Sequence, residues 1–103
     1  MKHELSLAAD FGPQLADGEA ASHYRVARIE PYLDICEQVV LDFSGVRNAN
    51  SSFMNALVVG IIEQHGRTVL PKLAFKGCNP VLRVLIEAAV SLGLRKVEGR
   101  VDA

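Results

Sequence analysis

The sequence predicts an α/β fold, in which a small mixed β-sheet of about four strands carries three to four helices packed on it. Three observations support this prediction. Apolar and polar residues alternate in the first segment, a continuous apolar run stands near the middle of the chain, and three longer segments repeat their apolar residues with helical spacing. Strand and helix patterns alternate along the chain, as expected for strands joined by helical crossovers.

Length and composition indicate one globular domain. Half of the 103 residues are hydrophobic, and the formal net charge is only -1. A chain of this length buries roughly two thirds of its unfolded surface, which is enough for a core. We therefore expect a single domain over residues 1–103, with no internal linker or repeat and with a frayed tail at residues 98–103.

The distribution of charged and special residues argues against several classes of protein. No Lys/Arg run is present, so nucleic acid is not an expected partner. No segment approaches the ~18 apolar residues of a membrane span, and the N-terminus has no signal-peptide core; we expect a cytoplasmic protein without a membrane partner. Cys36 and Cys78 form no CxxC pair, and the histidines are scattered. We therefore expect no metal and no cofactor.

The first strand is predicted in HELSLAADF, residues 3–11, because apolar and polar positions alternate there. Gly12 and Pro13 end it, and PQLADG is expected to be a loop. A helix pattern begins at about Ala20. Pro31 should kink this helix or begin its last short turn, because proline lacks an N–H and clashes with a preceding carbonyl.

The continuous apolar run at residues 39–43 predicts a central strand covered on both faces. The next segment, residues 48–52, contains four residues that favour helix caps. The helix that follows has an apolar arc and is expected to end at Gly66. Val59 falls outside that arc, beside Asn55 on the polar side, which indicates a contact surface.

The C-terminal third is predicted to hold a strand, a helix and an edge strand. Leu73 and Phe75 mark the strand. Asn79 followed by Pro80 is a strong signal for a helix start. We expect that helix to end at Gly93 and residues 94–97 to form a last edge strand.

Three segments carry a resemblance to a known family: LDFSGV, the following SSF with its apolar helix, and the later strand with NPVLRVLIEAAVSLGL. Together these segments resemble the STAS family, the sulfate transporter and anti-sigma factor antagonist domains. The likeness is closest to the STAS-like subfamily of poorly defined function, and it covers roughly residues 20–97. It implies a STAS-like sheet-and-helix domain that binds a partner protein. In many members that partner is an ATP-dependent serine kinase that is also an anti-sigma factor.

The resemblance also implies a phosphorylation site. In those members a serine at the start of the helix after the central strand is phosphorylated, which releases the partner. Alignment through LDFSGV places that serine at Ser52, with Ser51 beside it, and the family's strand-end aspartate at Asp42. Antagonists usually have Asp-Ser-Ser-Gly or Asp-Ser-Thr-Gly here, whereas this chain has Asn50 and Phe53 around the serines.

Both the serines and the aspartate have two interpretations. Ser51 and Ser52 could serve only as N-caps. A phosphoserine at a helix start is also tolerated by its own domain, because free N–H groups and the helix dipole stabilise it, while its charge repels a partner. Asp42 could accept N–H bonds from the next loop, could shape the site by holding that loop, or could do both.

A catalytic serine is not expected. His65 lies thirteen residues after Ser52 on the same predicted helix, ~20 Å away. No glycine-rich phosphate loop is present. We therefore expect no enzymatic activity.

We hypothesise a non-enzymatic regulatory module that binds a protein partner, such as an ATP-dependent serine kinase or anti-sigma factor, and is switched by phosphorylation of Ser52. One alternative is a constitutive scaffold domain in which the serines only cap. The other is a small-molecule or anion sensor that uses the helix N-terminus. The sequence leaves homo-oligomerisation open. The expected binding surface comprises Asn48, Asn50, Ser51, Ser52, Asn55 and Val59.

Overall fold

The computed structural model describes the backbone of residues 1–101 and the side chains of residues 1–98. Strands and short helices come first and the longest helix comes last. Two of the helices each contain an α-helical, a π-helical and a second α-helical segment in turn. The elements are β1 (Lys2–Ser6), α1 (Leu7–Phe11), β2 (Gln14–Leu15), α2 (Gly18–Tyr24, Arg25–Ile29 and Glu30–Leu33), β3 (Gln38–Asp42), β4 (Asn48–Ala49), α3 (Ser51–Met54, Asn55–Val59 and Gly60–His65), a 3-10 segment (Arg67–Lys72), β5 (Leu73–Lys76) and α4 (Pro80–Val101).

The strands form two parallel sheets. The larger has the order β1-β3-β5, with Leu5 opposite Leu41 and Leu41 opposite Phe75. The smaller joins β2 to β4 through two residues each. The α/β class is therefore correct, whereas the prediction of one mixed sheet of about four strands is wrong. The difference arises because the strand pairs found in the described residues are all parallel, and the expected C-terminal edge strand is helical.

The central strand β3 packs on the helices through one face. Val39 and Leu41 are fully buried in the main core. Val40 points the other way and lies outside that core, although only 6% of it is exposed. Glu4 is opposite Val40 in register and pairs with Lys76 at 3.1 Å. The prediction of a central strand covered on both faces is therefore confirmed by its burial, and the Glu4–Lys76 ion pair lies on the side of Val40.

The N-terminal segment contains a strand and a helix where one strand was expected. β1 ends at Ser6, whose Oγ accepts a hydrogen bond from the Ala9 N–H at 3.2 Å and caps α1. The expected loop PQLADG contains β2 and the cap of α2, in which Asp17 Oδ1 accepts from the Ala20 N–H at 3.1 Å. These short elements depend on local caps and on distant pairing, which the alternating pattern does not reveal.

Pro31 lies where the irregularity in α2 was expected. A π-helical segment ends at Ile29, and the α-helix restarts at Glu30 with Pro31 as its second residue. The wider π turn relieves the conflict between a proline and the carbonyl groups of the preceding turn. The predicted restart is therefore present one residue earlier than Pro31 itself.

The start of α4 agrees with the sequence, but its end does not. Asn79 Oδ1 accepts a hydrogen bond from the Leu82 N–H at 2.8 Å, and Pro80 is the first helical residue. Gly93 is buried inside the helix, where a Cβ atom would lie 3.0 Å from Ile62. It is there for close packing against α3 rather than as a stop.

The remaining C-terminal predictions are corrected in the same way. Residues 94–97, expected to form an edge strand, are helical, and so is the predicted frayed tail as far as Val101. Residues 102–103 of that tail lie outside the described residues. Within residues 1–101, no helix combines the length and the apolar character needed to cross a membrane.

Candidate functional site

Asn50 is the residue that caps α3. Its Oδ1 accepts a hydrogen bond from the Phe53 N–H at 2.8 Å, and its Nδ2 donates to the Ala16 carbonyl at 2.9 Å. One side chain therefore begins the helix and ties it to the turn before α2. The interpretation of Ser51 and Ser52 as caps is wrong, because Asn50 already fills that position.

Ser51 and Ser52 are the first two residues of α3, and both are exposed. Neither hydroxyl has a hydrogen-bond partner among the described residues. Their backbone N–H groups belong to the first turn, where an α-helix offers no internal acceptor. The start of α3 therefore presents two unengaged hydroxyls together with free N–H donors.

Ser52 packs closely against Gly18, the first residue of α2. A Cβ atom at Gly18 would overlap the Ser52 hydroxyl and would lie 3.0 Å from the Ser52 carbonyl oxygen. The starts of α2 and α3 thus lie side by side, and this packing requires glycine. The positive ends of two helix dipoles converge on the surface that carries Ser52.

The short sheet of β2 and β4 holds the segment before the serines. The Arg47 N–H donates to the Pro13 carbonyl at 2.7 Å, and the Asn50 N–H donates to the Leu15 carbonyl at 2.9 Å. Asn79 Nδ2 donates to the Arg47 carbonyl at 3.1 Å, which adds a link to the start of α4. Sequence reasoning missed this support, because a two-residue strand has no periodic signal.

Most of the predicted surface residues lie together on the outside of the protein. Asn48 is the first residue of β4 and is paired with Gln14, and Asn55 is one turn after Ser51 and Ser52 on α3; both asparagines are exposed. We call this patch the asparagine–serine surface. It comprises Asn48, Asn50, Ser51, Ser52 and Asn55.

Val59 does not belong to that surface. Its side chain is only 2% exposed and lies in the core, so its predicted place in a partner-binding surface is wrong. The reason is the π-helical segment Asn55–Val59. A π turn holds more residues than an α turn and shifts the phase of the helix, which brings Val59 inward.

Asp42 holds the loop that follows the central strand. Its Oδ1 accepts a hydrogen bond from the Ser44 N–H at 2.9 Å. That bond, with a smaller contribution from the Lys76 ammonium group, keeps the pKa of the Asp42 carboxyl below its usual value. Acceptance of an N–H from the next loop, one of the two roles considered for Asp42, is therefore confirmed.

The histidine on α3 is far along the helix from the serines and has other neighbours. His65 Nε2 lies 3.5 Å from Glu30 Oε1, and the His65 carbonyl accepts from the Thr68 hydroxyl at 3.4 Å. In the described part of the chain, no three His, Cys, Asp or Glu side chains are grouped so that they could hold a metal ion.

Comparison with protein families identifies the class of this fold. The chain matches a family model described as "STAS-like domain of unknown function (DUF4325)" over residues 26–82, which is more than half of its length. The protein therefore belongs to this STAS-like family, and the resemblance stated from LDFSGV and SSF is confirmed. No curated protein and no solved structure matches the chain significantly.

Proposed function

We propose that this STAS-like domain is a non-enzymatic regulatory module that binds a partner protein through the asparagine–serine surface and is released by phosphorylation of Ser52. The partner class we propose is an ATP-dependent serine kinase that also acts as an anti-sigma factor. Membership of a STAS-like family supports a regulatory interaction module in general terms. The finer assignment rests on the geometry at the start of α3.

The observation that carries the proposal is the position of Ser52. Its side chain is exposed and unengaged in the described structure, although it stands in the first turn of a fifteen-residue helix that already has a cap. A capping role for the hydroxyl is thereby removed. A kinase can reach such a group without unfolding the domain.

A phosphate on Ser52 is tolerated by the domain itself. Free N–H groups of the first turn and the positive ends of two adjacent helices stabilise added negative charge. The phosphate weakens binding of a partner, because its charge of about -1.5 to -2 is desolvated in the contact and repels acidic groups of the partner. Asn48, Asn50, Ser51 and Asn55 provide no positive side chain that would offset this charge. We therefore expect phosphorylation to break a complex without unfolding the protein.

The test uses wild type, Ser52→Ala and Ser52→Asp as baits for affinity capture from the native lysate. We expect a kinase-type ATPase with wild type and Ser52→Ala and its loss with Ser52→Asp. Addition of Mg-ATP to the captured complex, followed by phosphosite mapping, should then mark Ser52 in the wild type. Melting curves of the three proteins check that Ser52→Asp remains folded.

Ser91→Asp is the matched control, because Ser91 is an exposed serine of α4 outside the asparagine–serine surface. Retention of the partner by Ser91→Asp, with loss by Ser52→Asp, would assign the effect to charge at the start of α3. Equal retention by all baits would support a constitutive scaffold instead. If no bait retains a protein, stabilisation of the free domain by inorganic phosphate or sulfate would support an anion sensor.

A further inference from the structure

A second concave site lies at the carboxyl end of β5, away from the serines in sequence. It is an open cleft of ≈ 500 Å³, which is within the range of about 300–1,000 Å³ typical of small-molecule sites. In open parallel sheets, ligands bind in the crevice outside the carboxyl ends of the strands. The cleft is lined by Phe75, Gly77, Cys78, Arg83, Ile86 and Glu87.

Gly77 shapes one wall of the cleft through its backbone. Its φ of +69° favours glycine, and a Cβ atom there would lie 2.8 Å from the Ser44 nitrogen and 2.9 Å from Asp42 Oδ1. The loops after β3 and β5 are thereby packed against each other at the sheet edge. A wall built on this contact is preformed, which lowers the ordering cost of binding a ligand.

The cleft contains one cation and one anion that form no salt bridge in the described part of the chain. Arg83 and Glu87 are exposed one turn apart on α4, at a spacing that often gives an ion pair. Neither forms an ion pair or hydrogen bond through its side chain within the described residues. Burial raises the pKa of the Cys78 thiol, so Arg83 and Glu87 are the lining groups that carry charge at neutral pH.

The other lining side chains are apolar. The Phe75 ring is half-buried and Ile86 is 6% exposed. A phosphate or polyanion would meet the Glu87 carboxylate in this cleft, with Arg83 as the only lining cation. A ligand that carries both charges and an apolar group would satisfy Arg83, Glu87 and the Phe75 ring together.

We propose that the cleft binds a free α-amino acid with an apolar side chain. Its carboxylate pairs with Arg83, its ammonium group pairs with Glu87, and its side chain packs on Phe75 and Ile86. This site does not depend on phosphorylation of Ser52 or on a protein partner. Failure of either proposal therefore leaves the other standing.

Titration of the whole chain with L-phenylalanine and L-leucine tests the proposal, with isothermal calorimetry and amide NMR shifts as readouts. We expect saturable binding at millimolar concentration or below, with shifts at Gly77 and Arg83. 3-Phenylpropanoate lacks the ammonium group and phenethylamine lacks the carboxylate. Each should bind roughly tenfold more weakly than L-phenylalanine, since each loses one charge-assisted contact.

Two variants and a control assign the contacts. Arg83→Gln should weaken L-phenylalanine binding roughly tenfold but leave the affinity for phenethylamine unchanged. Glu87→Gln should also weaken L-phenylalanine binding roughly tenfold but leave the affinity for 3-phenylpropanoate unchanged. Arg95→Gln, an exposed arginine on α4 outside the cleft, should bind like wild type. Absence of saturable binding, one-charge analogues that bind as tightly as L-phenylalanine, or an equal loss in Arg95→Gln would overturn the proposal.

Discussion

Asp42 stabilises a turn with one oxygen atom. The Ser44 N–H donates to Asp42 Oδ1 at 2.9 Å, and Lys76 adds a favourable charge from the neighbouring strand. Gly77, in the loop after β5, packs against Asp42 and Ser44. A single carboxylate at the end of β3 thus connects two loops at the carboxyl edge of the sheet, so its protonation should be visible in the stability of the protein.

Asp42→Asn keeps the shape of the side chain but removes its charge. The folded state lowers the pKa of this carboxyl, so its stabilisation is present above the unfolded-state value and is lost as the pH falls through the folded-state value. We expect the melting temperature of Asp42→Asn to lie below that of wild type at pH 7. The two should converge only once the pH has fallen below the folded-state pKa of Asp42, where both side chains are uncharged.

The measurement is thermal unfolding of both proteins across the acid range. Asp34→Asn is the control, because Asp34 is exposed and its side chain has no hydrogen bond among the described residues. A constant difference between Asp42→Asn and wild type at every pH would show that the charge of Asp42 is not what stabilises the loop.

At the scale of the element, α3 begins with a cap and continues through an irregular turn. Asn50 satisfies the Phe53 N–H and also reaches the Ala16 carbonyl. The π-helical segment Asn55–Val59 follows directly and turns Val59 into the core. The serines between cap and π turn are the residues of this first turn whose side chains remain unengaged in the described structure.

Asn50→Ala should therefore lower the free energy of unfolding by about 1–2 kcal/mol, since it removes the cap and the bond to Ala16 together. Ser51→Ala should change it by less than about 0.5 kcal/mol, because Ser51 is exposed and makes no capping bond. Urea denaturation of the two variants beside wild type measures both. A larger loss with Ser51→Ala than with Asn50→Ala would contradict the assigned cap.

At the scale of the whole molecule, one part-buried network joins α2 to α3. Arg25 Nε donates to the Ala56 carbonyl at 2.9 Å, and its guanidinium group also pairs with Glu30, which lies 3.5 Å from His65. The Arg25 side chain passes directly over Gly60, where a Cβ atom would lie 2.9 Å from its Cζ. The contact links the π-helical segments of both helices.

Arg25→Gln and Glu30→Gln should each lower the free energy of unfolding by about 1–3 kcal/mol, because each leaves a part-buried charge without its partner. The double variant should lose less than the sum, with a coupling energy of about 1 kcal/mol. Chemical denaturation of the four proteins measures the cycle. Strict additivity would show that the two side chains do not stabilise the protein as a pair.

Arg67→Gln is the control for that cycle. Arg67 Nη1 lies 3.6 Å from Glu98 Oε1, but the two side chains are 66% and 56% exposed. A solvated pair of this kind contributes little, so we expect a change below about 1 kcal/mol. A loss as large as that of Arg25→Gln would mean that removal of any arginine, rather than the link between α2 and α3, explains the result.

Local chemistry accounts for the predictions that agree with the structure. The cap formed by Asn79 before Pro80, the loop bond accepted by Asp42, and the central strand, predicted at residues 39–43 and found at Gln38–Asp42, each depend on a few neighbouring residues. The same holds for LDFSGV and SSF, which identified the family. Hydrogen bonds between residues two or three positions apart, and continuous apolar runs, can be predicted from the sequence because all the residues involved are neighbours in the chain.

Contacts between distant residues account for the corrections. Asn50 was one of four residues that favour a cap, and the β2–β4 pairing placed it at that position. Gly93 was predicted to end a helix, but in the structure it lies inside α4 and allows Ile62 to pack closely against it. Val59 is buried by the π-helical segment of α3, whose Ala56 carbonyl accepts a hydrogen bond from Arg25 on α2. The sequence by itself determined the α/β class, the family and the exposed serines. The tertiary structure decided sheet topology, helix phase and the choice of cap, because each of these depends on which distant surfaces pack together.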